Sequence, residues 1–155
     1  MEYNKKAILS ILFLVFYTVL MAQAPLRSKH FNLKNGLAIQ GYDPVSYFIE
    51  NKAKKGSQTY SYKTEGVTYY FVSLANKNKF ISDIKKYEPQ YGGWCAYAMG
   101  NSGEKVEIDP ETFKIKDSKL YLFYNAYFTN TLTKWNKDEN NLKTKADNNW
   151  KSIFK

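Results

Sequence analysis

The apolar positions of this chain change spacing several times, and each change marks an element. From Ser73, which can cap a helix, the residues Leu74, Lys77, Phe80, Ile81, Ile84 and Tyr87 recur at three-and-four spacing until Pro89 stops the run. Residues 59–63 and 67–72 are β-rich and joined by Thr64-Glu65-Gly66, which predicts two strands with a tight connection. In "TFKIKDSKLYLFY", residues 112–124, two further β-rich runs flank Asp117-Ser118 and predict a hairpin. Earlier, "GYDPVSYFIEN" sets Asp43 where its carboxylate can cap free amides and Pro44 at a first helical position, so a short helix is expected over 44–50. Toward the end, 127–135 reads as one helical stretch, and Asp138 caps another in which Leu142, Ala146, Trp150 and Ile153 share a face. Residues 94–99 are too few for periodicity to choose between a short helix and a short strand.

This order of elements predicts an α+β domain, a small antiparallel sheet with hairpins packed against several helices, over residues 37–155. Residues 23–36 carry Pro, Arg, Lys, Asn and Gly with little periodicity and read as an exposed lead-in. Ahead of them, residues 1–22 have Lys5 and Lys6 followed by an uncharged apolar run from Ala7 to Ala22, the pattern of a signal peptide for export to a periplasm or the exterior. The run is 16 residues, shorter than the ~20 that span a bilayer; cleavage after Ala22 is expected, with an uncleaved anchor as the alternative.

Charge and composition narrow the function classes. Removing 1–22 takes away two lysines and one glutamate, so the net charge moves only from +9 to +8. Such a surplus suits an anionic membrane surface or an acidic partner. The lysines are scattered among asparagines without a dense basic block, however, which argues for a solvated surface and against nucleic-acid binding. One cysteine excludes a disulfide scaffold, so stability must come from packing, and 17% aromatic residues supply large rings for it.

Five blocks then carry a resemblance: "GYDPVSYF" (41–48), "GVTYYFVSLANKNKF" (66–80), "YEPQYGGWCAYAMG" (87–100), "DPETFKIKDSKLYLFYN" (109–125) and "KADNNW" (145–150). Together they resemble the YHS-domain proteins, specifically their exported single-domain branch. The resemblance implies a small α+β fold within a superfamily of presumed metal-binding modules, and it implies no particular reaction. In metal-binding members the ligand cysteines would fall at Ser46, Val72 and Asn76 of this chain, and the family histidine at Tyr70. None of these residues is a thiol or an imidazole, so the family's zinc site is not transferred.

The resemblance leaves Cys95 as the residue on which chemistry would rest. If 94–99 is helical, Cys95 and Met99 stand at i and i+4, where thiolate and thioether together suit a transition metal, Cu(I) above all. If it is a strand, the pair lies ~13 Å apart and cannot share an ion. A third reading makes both residues core filler. The sole histidine, His30, falls in the lead-in and reads as an exposed tail residue. Tyr42, Tyr47, Trp94 and Tyr97 are candidates to line a small-molecule pocket, or to fill the core. Asp43, Asp109, Asp117 and Asp138 read as caps and turns, and no acid–base pair, nucleophile elbow or phosphate loop is present. The expected function is therefore a binding protein associated with a transition metal through Cys95. The alternative is a small-molecule or protein interaction module whose cysteine is structural.

Overall fold

The computed structural model describes residues 26–153; the expected signal peptide, 1–22, lies outside the described residues. The fold is α+β, with small sheets packed against several helices. One sheet takes four strands in the order β1 (Leu33–Lys34), β2 (Leu37–Ala38), β4 (Val67–Phe71), β3 (Ser57–Thr64). The expectation of a purely antiparallel sheet needs one amendment: β2 pairs with β4 in parallel, Leu37 against Thr68, while the other pairs are antiparallel. A second sheet is the hairpin β5 (Asp109–Lys116) and β6 (Lys119–Phe123), and a third is the miniature β7 (Asn125–Ala126) and β8 (Thr129–Asn130).

Four two-residue turns join antiparallel neighbours, and all place both residues at positive φ: Asn35-Gly36, Glu65-Gly66, Asp117-Ser118 and Tyr127-Phe128. Such turns match the right-handed twist of the strands they join. The first three each include at least one residue that adopts this backbone readily (Asn35, Gly36, Gly66 or Asp117), whereas the last uses two bulky rings that are almost wholly exposed. That turn interrupts the helix expected over 127–135, which begins only at Thr131.

The helices are α1 (Ser46–Ile49), α2 (Leu74–Ser82), α3 (Ile84–Tyr87), α4 (Ala96–Asn101), α5 (Thr131–Trp135) and α6 (Glu139–Ile153). Ser73 Oγ accepts from the Asn76 amide and caps α2 as anticipated, but the single helix expected up to Pro89 is two. Asp83 leaves helical geometry at φ −154°, and its carboxylate accepts from the Lys86 amide to start α3. Of the face expected to be buried, Phe80 and Tyr87 are buried but Leu74 and Ile81 are exposed, and Asn76, not expected there, is buried. The face turns because Asn76 is held by the Asp43 carboxylate at 2.7 Å.

Residues 26–34 are not an exposed lead-in. A helical segment at 26–30 places the Arg27 guanidinium against Glu88 and 3.2 Å from Glu65, and β1 joins the four-stranded sheet. Burial works against charging Arg27, yet its pairing with Glu88 outweighs that and holds the pKa above the ordinary value.

Two apolar clusters fill the interior. One gathers Val45, Tyr47, Tyr69, Phe71, Phe80 and Cys95 among others, and the second gathers Tyr91, Met99, Tyr121, Phe123, Trp135 and Leu142. The segment from Pro89 to Cys95 runs beside β6, bridging in parallel at Pro89 to Leu120 and at Cys95 to Leu122, and contributes to both clusters, Tyr91 to the second and Cys95 to the first. Beside the second cluster, Glu139 lies 2.8 and 2.7 Å from the ammonium groups of Lys114 and Lys116 and accepts the Trp135 indole N–H at 2.8 Å. Burial works to raise its pKa, but these donors outweigh it and hold the carboxyl at about 2. A carboxyl depressed from its ordinary 4.5 adds stability above that pH and loses it as pH falls toward 2. Glu139→Gln should therefore lower the melting temperature at pH 7, with the gap from the unsubstituted protein closing between pH 4.5 and 2 in a thermal melt series.

Candidate functional site

Cys95 is the N-cap of α4, and its backbone, at φ −57° and ψ 116°, is not helical. The helix expected to begin directly behind Gly92-Gly93 starts two residues later, at Ala96, because the glycines form a 3-10 turn with φ of 60° and 85°. The spacing argument that brought Cys95 and Met99 onto one face needs both residues to be helical, and only Met99 is. The Cys95 side chain packs in the first cluster and Met99 in the second, both wholly buried. The regular helical spacing on which the expected donor pair rested is therefore absent at Cys95.

Around Cys95 the hydrogen bonds close a ring. The Tyr124 amide donates to Sγ at 3.4 Å, and the Thr131 hydroxyl stands 3.4 Å from the same sulfur. The Thr131 hydroxyl has one proton, and its 2.9 Å bond to the Tyr124 carbonyl takes it. The thiol must then donate to Thr131. Acceptor on one side and donor on the other, the sulfur has its polar partners within the protein.

The four aromatic candidates do not converge. Tyr47 is buried, donates its hydroxyl to the Pro110 carbonyl at 2.8 Å, and meets Phe113 edge-on at 4.8 Å. Burial pushes its phenol far above the ordinary range. Tyr42 reaches Glu111 at 3.3 Å with Lys55 over its ring, Trp94 donates to the His30 carbonyl at 2.7 Å, and Tyr97 lies under Lys134. His30 itself is half-buried, its Nδ1 3.0 Å from the Lys105 ammonium, so it is not a tail residue.

What the sequence reading missed is a cleft of about 410 Å³ at Gly92, lined by Phe31, Tyr91, Trp150 and, from three different elements, Lys85, Lys119 and Lys151. None of the four aromatic candidates lines it. The lack of a side chain at Gly92 lets both rings pack against its backbone at the edge of the cleft: a Cβ there would lie 2.8 Å from both the Phe31 and Trp150 rings, whose centroids are 5.9 Å apart. The Arg27 guanidinium sits over the Phe31 ring, 4.4 Å from its centroid. Tyr91 donates to Asp147 at 3.0 Å, and burial with that carboxylate pushes its phenol far up, so it stays a neutral donor. The signal for this site was available only in part, because Phe31 lies in a segment without periodicity and Trp150 reads as the end of an amphipathic helix.

No family model matches the chain, and no curated protein or solved structure matches it.

Proposed function

We propose that this chain is an exported YHS-type binding module that works through a surface cleft and not through a metal, with Cys95 as a structural residue. The observation that carries the reading is the sealed thiol: fully buried, donating to Thr131 and accepting from Tyr124. A soft-metal site needs several donors around one point with room for the ion. Among the described residues no group of three or more His, Cys, Asp or Glu side chains is placed to hold one, and Met99 packs in the other cluster from Cys95. The residues present therefore do not fit the copper ion that the Cys95–Met99 spacing suggested. The family half of the reading rests on the sequence blocks, several of which supply the fold's key contacts: Asp43 in the first, Asn76 in the second, Gly92 and Cys95 in the third.

Two measurements test it. Cys95 should resist a thiol reagent in the native protein at neutral pH and react fully once urea unfolds it, since a buried sulfur with satisfied partners is inert. A Cu(I) titration against a competing chelator should give the same weak uptake for the unsubstituted protein, Cys95→Ser and Met99→Leu. Stoichiometric copper binding that either substitution removes, or fast native labelling of Cys95, would restore the metal reading in place of this one.

A further inference from the structure

The cleft beside Gly92 has a charge pattern that its volume alone does not convey. Two carboxylates line it, and both are already engaged. Glu88 pairs with Arg27 and accepts the Tyr69 hydroxyl at 2.7 Å. Asp147 accepts the Tyr91 hydroxyl at 3.0 Å and pairs with Lys143 at 3.2 Å. The lysines at the cleft are in the opposite condition. Lys85 comes from α3, Lys119 from the start of β6 and Lys151 from the last turn of α6, all three exposed, and among the described residues no ion pair, hydrogen bond or ring contact engages their ammonium groups. Some lysines elsewhere are engaged, Lys54, Lys114, Lys116 and Lys143 by carboxylates and Lys86 and Lys134 over aromatic rings, while others such as Lys63 are as open as these three. What sets Lys85, Lys119 and Lys151 apart is that they border one concavity. Neutralised anions and unpaired cations around one concavity leave a positive potential there, which draws in anions.

The inner wall has a different chemistry. Phe31 and Trp150 meet over the bare backbone of Gly92, and the Arg27 guanidinium lies over the Phe31 ring. Aromatic rings beside an open volume offer a surface for a flat partner. The cleft's size falls within the ~300–1,000 Å³ typical of small-molecule sites.

We propose that this cleft binds a small organic anion built on a flat ring, with the ring against Trp150 and Phe31 and the anionic group among Lys85, Lys119 and Lys151. The inference rests on the reading of the chain as a cleft-based binding module and names that module's ligand class. Carboxylate, sulfonate and phosphate share the required chemistry, a compact anion attached to an aromatic ring. A neutral ring keeps only the stacking half, and a cationic ring meets three like charges.

The test uses the full chain, labelled with ¹⁵N, and three probes of one shape: 1-naphthalenesulfonate, naphthalene and (1-naphthyl)methylammonium. The sulfonate is expected to shift the Gly92 amide and the Trp150 indole signals saturably, and to lose affinity as sodium chloride is raised from low to high concentration. The ammonium probe should leave both signals in place. Lys85→Glu, Lys119→Glu and Lys151→Glu alter exposed side chains and should leave the melting temperature unchanged. Each is expected to weaken the sulfonate about two- to five-fold, the range of single exposed charge contacts, and the triple variant should weaken it by ten-fold or more. Trp150→Leu should weaken sulfonate and naphthalene alike. Equal binding of sulfonate and ammonium, an unaffected triple variant, or sulfonate shifts away from Gly92 would overturn the inference. Its failure is separable from that of the parent reading: a cleft without anion preference in a protein whose Cys95 stays sealed removes only the ligand class. A reactive or copper-binding Cys95 removes the parent reading whatever the naphthalene series gives.

Discussion

Gly100→Ala is expected to lower the melting temperature by roughly 10 °C, corresponding to about 2–3 kcal/mol of overpacking. Helix propensity alone predicts the opposite sign, because alanine inside a helix is favoured over glycine by about 1 kcal/mol. Geometry decides between them. A Cβ at Gly100 would stand 2.4 Å from the Leu142 carbonyl oxygen and 3.0 Å from its carbonyl carbon. Those are backbone atoms of α6 and cannot rotate aside, so the whole helix must retreat from α4. The retreat would open the second cluster, where Met99 from α4 and Leu142 and Ala146 from α6 are packed with Trp135. It would also stretch the 2.8 Å bond from the Asn149 amide group to the Met99 carbonyl. Asn101→Ala, at an exposed position of the same helix, provides the comparison and should change stability by less than about 0.5 kcal/mol. If Gly100→Ala melts at or above the temperature of the unsubstituted protein, α4 and α6 are not in contact at this point.

Asp43→Ala is expected to be of similar or larger effect, about 3–5 kcal/mol. The Asp43 side chain is completely buried and accepts three hydrogen bonds, from the Val45 amide at 2.8 Å, the Val72 amide at 2.9 Å and the Asn76 side chain at 2.7 Å. Those donors belong to the start of α1, the end of β4 and the first turn of α2, so one carboxylate ties three elements together. Alanine leaves three donors without acceptors in a site closed to solvent, and each such group costs about 1–3 kcal/mol before relaxation. Asp43→Asn keeps one acceptor oxygen but brings an NH₂ group against donors, and should recover only part of the loss. Denaturant melts of Asp43→Ala, Asn76→Ala and the double variant complete the test. The double variant should cost clearly less than the two single variants combined, since Asn76 has nothing left to lose at that bond once Asp43 is gone. Strict additivity would mean that the Asp43–Asn76 bond does not tie α2 to this carboxylate.

Asp43 also illustrates how far the sequence could be read. Its local role was legible only in part. The Asp-Pro signal placed a helix over 44–50 capped by Asp43, whereas α1 spans Ser46–Ile49 with Val45 as its N-cap, and the Asp43 carboxylate instead accepts from the Val45 amide in the turn just before it. Its bonds to Val72 and Asn76 were not legible, since they span 29 and 33 residues. The same division recurs along the chain. Asp117-Ser118 between two β-rich runs marked its hairpin, and the face of Leu142, Ala146, Trp150 and Ile153 marked α6. Asn35-Gly36, an equally local hairpin signal, was passed over because the strands it joins are only two residues each and have no alternation to display. Tyr127-Phe128 could not have been recognised as a turn, as aromatic residues rarely accept positive φ.

By itself, then, the sequence determined the α+β class, the main hairpin, the presence of a short helix after Asp43-Pro44, the capped start of α2 and the amphipathic last helix, since each depends on neighbours within a few positions. Tertiary structure alone decided what Cys95 touches and where a ligand has room. The thiol's partners Tyr124 and Thr131 lie 29 and 36 residues away, and the cleft has its aromatic wall because Phe31 and Trp150, from opposite ends of the described chain, meet over a glycine. Periodicity reports which face of an element is apolar, but not which distant surface will close over it.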